Sequence, residues 1–147
     1  MEIKRIAPEE AKQLLDSNQG HVYLDVRSTP EFDAGHVPGA RNVPLLEPDA
    51  TGRMAPNPRF LEVVEKNFAR DAKLITGCMK GGRSLKAAEV LQQAGFSNVV
   101  DMRGGFSGET DQFGRVTFPG WAPRGLPTTR DAAPTDRYDS LDRKSVV

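Results

Sequence analysis

Apolar positions along this chain recur at helical spacing in some stretches and bunch into short runs in others, and the two patterns alternate. Residues 3–6 predict a short opening strand. Pro8 then stands at a first helical position, with Glu9 and Glu10 in the turn where the helix dipole favours carboxylates. Ala11, Leu14 and Leu15 give that helix an apolar face, and Gly20 ends it. Residues 22–26 read as a buried strand running into charge. Ser28 or Thr29 can cap a one-turn helix over 30–34, and 40–43 predict another short strand. With four prolines and one glycine, residues 44–58 read as loop.

A helix starting at Asn57-Pro58 and running to about Asn67 places Phe60, Leu61, Val64 and Phe68 on one side. Residues 73–76 predict a strand. From Arg83 to Ala94, Leu85, Ala88 and Leu91 recur at helical spacing before a stop at Gly95. Residues 98–101 form the last clear strand, and 104–110 are expected to be helical. There is no internal repeat. The alternation predicts an α/β fold, a mainly parallel central sheet with helices on both faces. Ligands of such sheets sit at the carboxyl ends of the strands, where Asp25 and Cys78 both fall. Residues 1–127 read as one domain. Residues 128–147 are poor in large apolar side chains and read as a polar, partly disordered tail with Tyr138 or Leu141 as docking points.

Composition narrows the function classes. The chain has 147 residues, the size of one domain, and about two thirds of its surface can be buried. Lys plus Arg equals Asp plus Glu at 20 each, which argues against a general nucleic-acid or membrane-surface binder. No apolar stretch approaches the ~18 residues of a membrane span, and Met1-Glu2-Ile3-Lys4 begins no obvious leader. A cytoplasmic location is expected, with an organelle after removal of a leader as the alternative. One cysteine excludes an internal disulfide and fits a reducing compartment.

That cysteine carries the chemistry. The run Leu74-Ile75-Thr76-Gly77 leads to Cys78-Met79-Lys80-Gly81-Gly82-Arg83-Ser84 and then to a helix. A strand, tight loop and helix in this order can aim backbone N–H groups and the positive helix end at the sulfur. Both favour a thiolate, as do the charges of Lys80 and Arg83. Most lone cysteines are inert packing residues. Two glycines and two cations within five positions are not what packing requires. Gly81 and Gly82 allow φ > 0, so that the N–H groups converge. Arg83 either touches substrate or pairs with Asp25 or Glu31 to brace the loop. Lys80 faces the mouth, and Ser84 donates to the sulfur or caps the helix.

The stretch Tyr23-Leu24-Asp25-Val26-Arg27-Ser28-Thr29-Pro30-Glu31-Phe32, with Gly35-His36-Val37-Pro38-Gly39-Ala40-Arg41-Asn42-Val43-Pro44, resembles the N-terminal signature of the rhodanese domain. Cys78 to Ser84 resembles its active-site loop. Gly104-Gly105-Phe106 and Gly120-Trp121, with Gly125-Leu126-Pro127, resemble its C-terminal signature. The resemblance implies a thiosulfate:cyanide-type sulfurtransferase working through a persulfide on Cys78. It implies a small-molecule sulfur donor, a thiol or cyanide acceptor, and no metal or other cofactor. Thiosulfate is the first candidate donor, because Lys80 and Arg83 are present. A protein or small-molecule persulfide is the second, because Met79 stands where many thiosulfate enzymes of the family carry a cation.

Two other classes stay open. Related phosphatases and arsenate reductases have five residues between Cys and Arg, but here only Met79, Lys80, Gly81 and Gly82 intervene. Rhodanese-like domains also serve as binding modules, commonly after losing the cysteine. Asp25 is expected to accept hydrogen bonds from nearby backbone, and Arg27 to support the site or steer substrate. His36 has no partners at metal-ligand spacing and reads as a hydrogen-bonded histidine before a turn. Phe106 and Trp121 either wall the pocket or fill the core.

Overall fold

The computed structural model describes residues 2–143. The elements in chain order are β1 (Arg5–Ile6), α1 (Pro8–Asp16), β2 (Val22–Asp25), α2 (Thr29–Ala34), β3 (Arg41–Asn42), β4 (Leu46–Pro48), β5 (Met54–Pro56) and α3 (Phe60–Asn67). Then follow β6 (Lys73–Gly77), α4 (Gly82–Gln93), β7 (Asn98–Met102), β8 (Gly108–Thr110), β9 (Val116–Pro119) and α5 (Tyr138–Arg143). Five strands form a parallel sheet in the order β1-β7-β6-β2-β3. Asp25 pairs with Gly77 and Thr76 with Asp101, so all three central strands end at one edge.

Strand side chains alternate between two cores, as a half-turn period requires. Leu24, Leu74 and Val26 face α3 and α4 together with Val63, Val64 and Leu91. Tyr23, Ile75 and Met102 face Ala11 of α1 and Phe32 of α2. Helices therefore cover both faces. The start of α2 is fixed by a reciprocal cap in which the Ser28 hydroxyl accepts from the Glu31 N–H and Glu31 accepts from the Ser28 N–H.

Two expectations are corrected. Residues 104–110 are not helical, because Gly104, Gly105 and Gly108 all lie in the left-handed region, at φ of 87°, 62° and 119°. They turn instead into β8, which pairs antiparallel with β9. The proline-rich stretch 44–58 holds the β4–β5 hairpin rather than loop alone. Asp49 closes its turn by accepting from the N–H groups of Thr51 (2.8 Å) and Arg53 (3.1 Å). Glu47 then accepts from the Thr29 N–H at 2.8 Å and ties the hairpin to α2.

Residues 129–143 pack on the domain. Thr129 exchanges both backbone hydrogen bonds with His36. Leu141 is buried, and the Tyr138 hydroxyl accepts from the Asn57 amide at 3.0 Å. Both expected docking points are thus used, while the expected disorder at 144–147 lies outside the described residues. No helix among the described residues is long and apolar enough to cross a membrane.

Candidate active site

β6 delivers Cys78 to the carboxyl edge of the sheet, and α4 begins four residues later. Gly77 is required at the strand end because any Cβ there would run into the Tyr23 hydroxyl. The Cys78 sulfur is buried and accepts from the N–H of Gly81 at 3.1 Å and of Ser84 at 3.3 Å. Gly81 has φ of 116°, which turns its N–H inward at the start of α4. Gly82 does not share this role. It is the first helical residue, and a Cβ there would meet nothing within 4 Å. Ser84 reaches the sulfur through its backbone and does not cap the helix, whose capping position is Gly81. Its hydroxyl faces the Gly81 carbonyl at 3.4 Å.

The loop is held from outside by groups far away in sequence. The Cys78 carbonyl accepts from the Phe106 N–H at 2.7 Å, and the Met79 carbonyl from the Ser107 N–H at 2.9 Å and the Ser107 hydroxyl at 3.0 Å. Gly105 permits this approach: a Cβ there would collide with the carbonyls of Cys78 and Met79. Gly105→Ala is therefore expected to destabilise the fold by about 2–4 kcal/mol through crowding and its positive φ. Gly82→Ala, in open helical space, should be neutral or stabilising by up to about 1 kcal/mol. Urea midpoints of the two variants check this contrast.

Behind the loop lies a polar group with no signal in the local sequence. Asp101 is fully buried and accepts from Arg5 Nε at 2.9 Å and from the Thr76 hydroxyl at 3.0 Å. Arg5 also reaches the Gly81 carbonyl at 3.4 Å. Burial pushes the Asp101 carboxyl up from its ordinary range, against hydrogen bonds from Ser84, Arg5 and Thr76.

The cations sort into paired and unpaired. Arg83 makes a two-pronged bond to Glu31, at 2.7 and 3.0 Å, so it braces the loop against α2. Burial works to raise the Glu31 carboxyl, but Arg83 and the Ser28 N–H and hydroxyl outweigh it and hold it down to about 2. The stability from this pair is fully present above the ordinary value of 4.5 and is lost as pH falls toward 2. Glu31→Gln should therefore flatten the fall of the urea midpoint between pH 4.5 and 2 relative to the parent protein.

Arg27 and Asp25 are both buried and joined to one another. Arg27 donates from Nη2 to Asp25 at 2.7 Å and from Nε at 3.0 Å, and its backbone N–H adds a bond of 3.0 Å. Nη2 also reaches the Gly35 carbonyl at 2.7 Å, and the guanidinium lies 4.6 Å from the Phe106 ring centre. Asp25 thus accepts from backbone as expected, but its main partner is the Arg27 side chain. Lys80 is exposed, and among the described residues its side chain pairs only with the Thr110 hydroxyl at 3.3 Å. His36 stacks on Phe32 and sits within 2.8 Å of the Phe32 carbonyl and 3.0 Å of the Asp131 carbonyl, away from the sulfur's partners. Trp121 is core, donating to the Pro127 carbonyl at 2.6 Å, whereas Phe106 lines a groove beside the loop.

The chain that builds this sulfur cradle matches known proteins over most of its length. The model of the rhodanese-like domain matches residues 7–111. Thiosulfate sulfurtransferase 16, chloroplastic, of Arabidopsis thaliana is 46% identical over 109 residues, covering 74% of this chain and 80% of that protein. Thiosulfate sulfurtransferase GlpE of Pseudomonas fluorescens is 35% identical over 118 residues, covering 80% of this chain and 90% of its own. The chain spans about half of some longer relatives, such as 47% of senescence-associated protein DIN1 of Raphanus sativus. The crystal structure of Rv0390 from M. tuberculosis superposes with a TM-score of 0.73 at 28% identity, covering 89% of this chain and all of that one. The family model and these relatives cover most of the chain, and it belongs to the rhodanese-like domain family.

Proposed function

We propose that the protein transfers sulfane sulfur through a persulfide on Cys78. The thiolate attacks the outer sulfur of thiosulfate, and the sulfur–sulfur bond of the donor breaks with its electron pair leaving on sulfite. An acceptor thiolate or cyanide then attacks the sulfur held on Cys78. The bond to Sγ breaks, and its electron pair restores the Cys78 thiolate. The observation that carries this reading is the convergence of the Gly81 and Ser84 N–H groups on Sγ, 3.1 and 3.3 Å away. Donors fixed in place before reaction stabilise an anionic sulfur as an oxyanion hole stabilises an oxygen.

Among the described residues Lys80 is the loop cation without a carboxylate partner, so we assign it the attraction of the anionic donor. Arg83, already bound to Glu31, supports the loop. The names of the two thiosulfate sulfurtransferases support thiosulfate as donor. A persulfide on a small molecule or protein is the alternative donor. With one cysteine in the chain, the acceptor must come from outside, and a reducing compartment such as the cytoplasm suits both.

The test is intact mass after incubation with thiosulfate and removal of the excess. A gain of about one sulfur atom, released by cyanide as thiocyanate, is the expected result. Absence of any gain with thiosulfate and with persulfide donors would leave the fold as a binding module.

A further inference from the structure

Beside the Cys78 loop runs a groove of about 490 Å³ lined by Met79, Phe106, Pro30, Ala34 and Gly35 among others. It lies along the loop that carries Cys78: Met79 follows Cys78 in sequence, and the Phe106 N–H donates to the Cys78 carbonyl. Two charged residues also border it, Arg27 and Glu31. Neither offers a free charge, since Arg27 is bound to Asp25 and Glu31 to Arg83. Lys80 is not part of this wall. The groove thus presents mainly apolar surface, with the Ser107 hydroxyl turned to the Met79 carbonyl and the bordering charges cancelled, beside the loop whose sulfur must be discharged by an outside group. An anion gains nothing there, whereas a hydrocarbon body loses contact with water.

Resting on the sulfur-transfer reading above, we propose that this groove selects the acceptor: a thiol with an uncharged, apolar body, packed against Met79 and Phe106. The acceptor thiolate attacks the outer sulfur of the Cys78 persulfide, the bond to Sγ breaks, and the acceptor leaves as its own persulfide. The anionic donor and the apolar acceptor thereby use different parts of the mouth, Lys80 for the first and the groove for the second.

The test separates the two half-reactions. The protein is loaded with thiosulfate, freed of donor, and mixed with ethanethiol, propanethiol or butanethiol, which differ in length and hardly in thiol acidity. Loss of the extra sulfur is followed by rapid-quench mass. The second-order constant should rise about two- to fourfold per added methylene. Propanethiol should exceed 3-mercaptopropane-1-sulfonate several-fold. Met79→Ser should flatten the gradient, and Ala34→Glu, at an exposed helix end, should do so without touching the loop. A flat gradient in the parent protein, or an unchanged one in both variants, overturns the proposal while discharge by cyanide keeps the sulfur-transfer reading intact. Failure to load sulfur at all overturns that reading and this one with it.

Discussion

Cys78→Ser is expected to abolish sulfur transfer, with a loss of at least about a thousandfold in turnover, while the protein stays folded. A serine hydroxyl fits the same space and can accept from the Gly81 and Ser84 N–H groups that now serve the sulfur. It cannot ionise at neutral pH and forms no persulfide. The side chain is buried within an apolar cluster, so a modest fall in stability, about 1 kcal/mol, is expected from placing a hydroxyl there. Circular dichroism and the urea midpoint report on the fold; thiocyanate release reports on the chemistry. Retained turnover in a folded Cys78→Ser protein would contradict the mechanism, and a loss of both signals together would point to a packing role.

Asp25→Ala is expected to have the largest effect on stability, about 3–5 kcal/mol. The Arg27 and Asp25 side chains are each only 2% exposed, so removing the carboxylate strands a guanidinium in the interior. The Gly35 carbonyl and the Phe106 ring are the partners that remain, and neither carries a full charge. The melting temperature should fall by on the order of 10 °C or more. The double variant Asp25→Ala/Arg27→Met should recover much of the loss, because it removes the stranded charge along with its partner. Calorimetry on the three proteins decides the matter: a single variant as stable as the parent would show that water reaches Arg27.

The order of the five sheet strands and of α1 to α4 was readable because it depends on local patterns. Pro8, the Ser28–Glu31 cap and the Leu85-Ala88-Leu91 spacing each act within one or two turns. The sulfur cradle was readable for the same reason, since Gly81 lies three residues from Cys78. Of the two misread stretches, 104–110 is governed by what it touches. Gly105 is a glycine because Cys78 and Met79 lie against it, and no helical propensity accounts for that. Asp101 escaped notice because its partners, Arg5 and Thr76, come from two other strands brought into register by the sheet. The sequence leaves Arg83 open between substrate and either of two carboxylates, and only the packing of α2 against the loop singles out Glu31. Phe106 carried two readings until the fold placed it in the groove and Trp121 in the core.

The latch formed by Phe106 and Ser107 on the Cys78 and Met79 carbonyls also sets a schedule for the newborn chain. Met79 and its Ser107 hydroxyl partner are 28 residues apart, and a ribosome adding about 5–20 residues per second needs roughly one to six seconds to cover that distance. Arg5, made at the start, waits longer still for Asp101. In that interval the thiol has been made but its loop has not been latched, and it is exposed to any oxidant it meets. The candidate nucleophile is made mid-chain, and the groups that latch its loop come later.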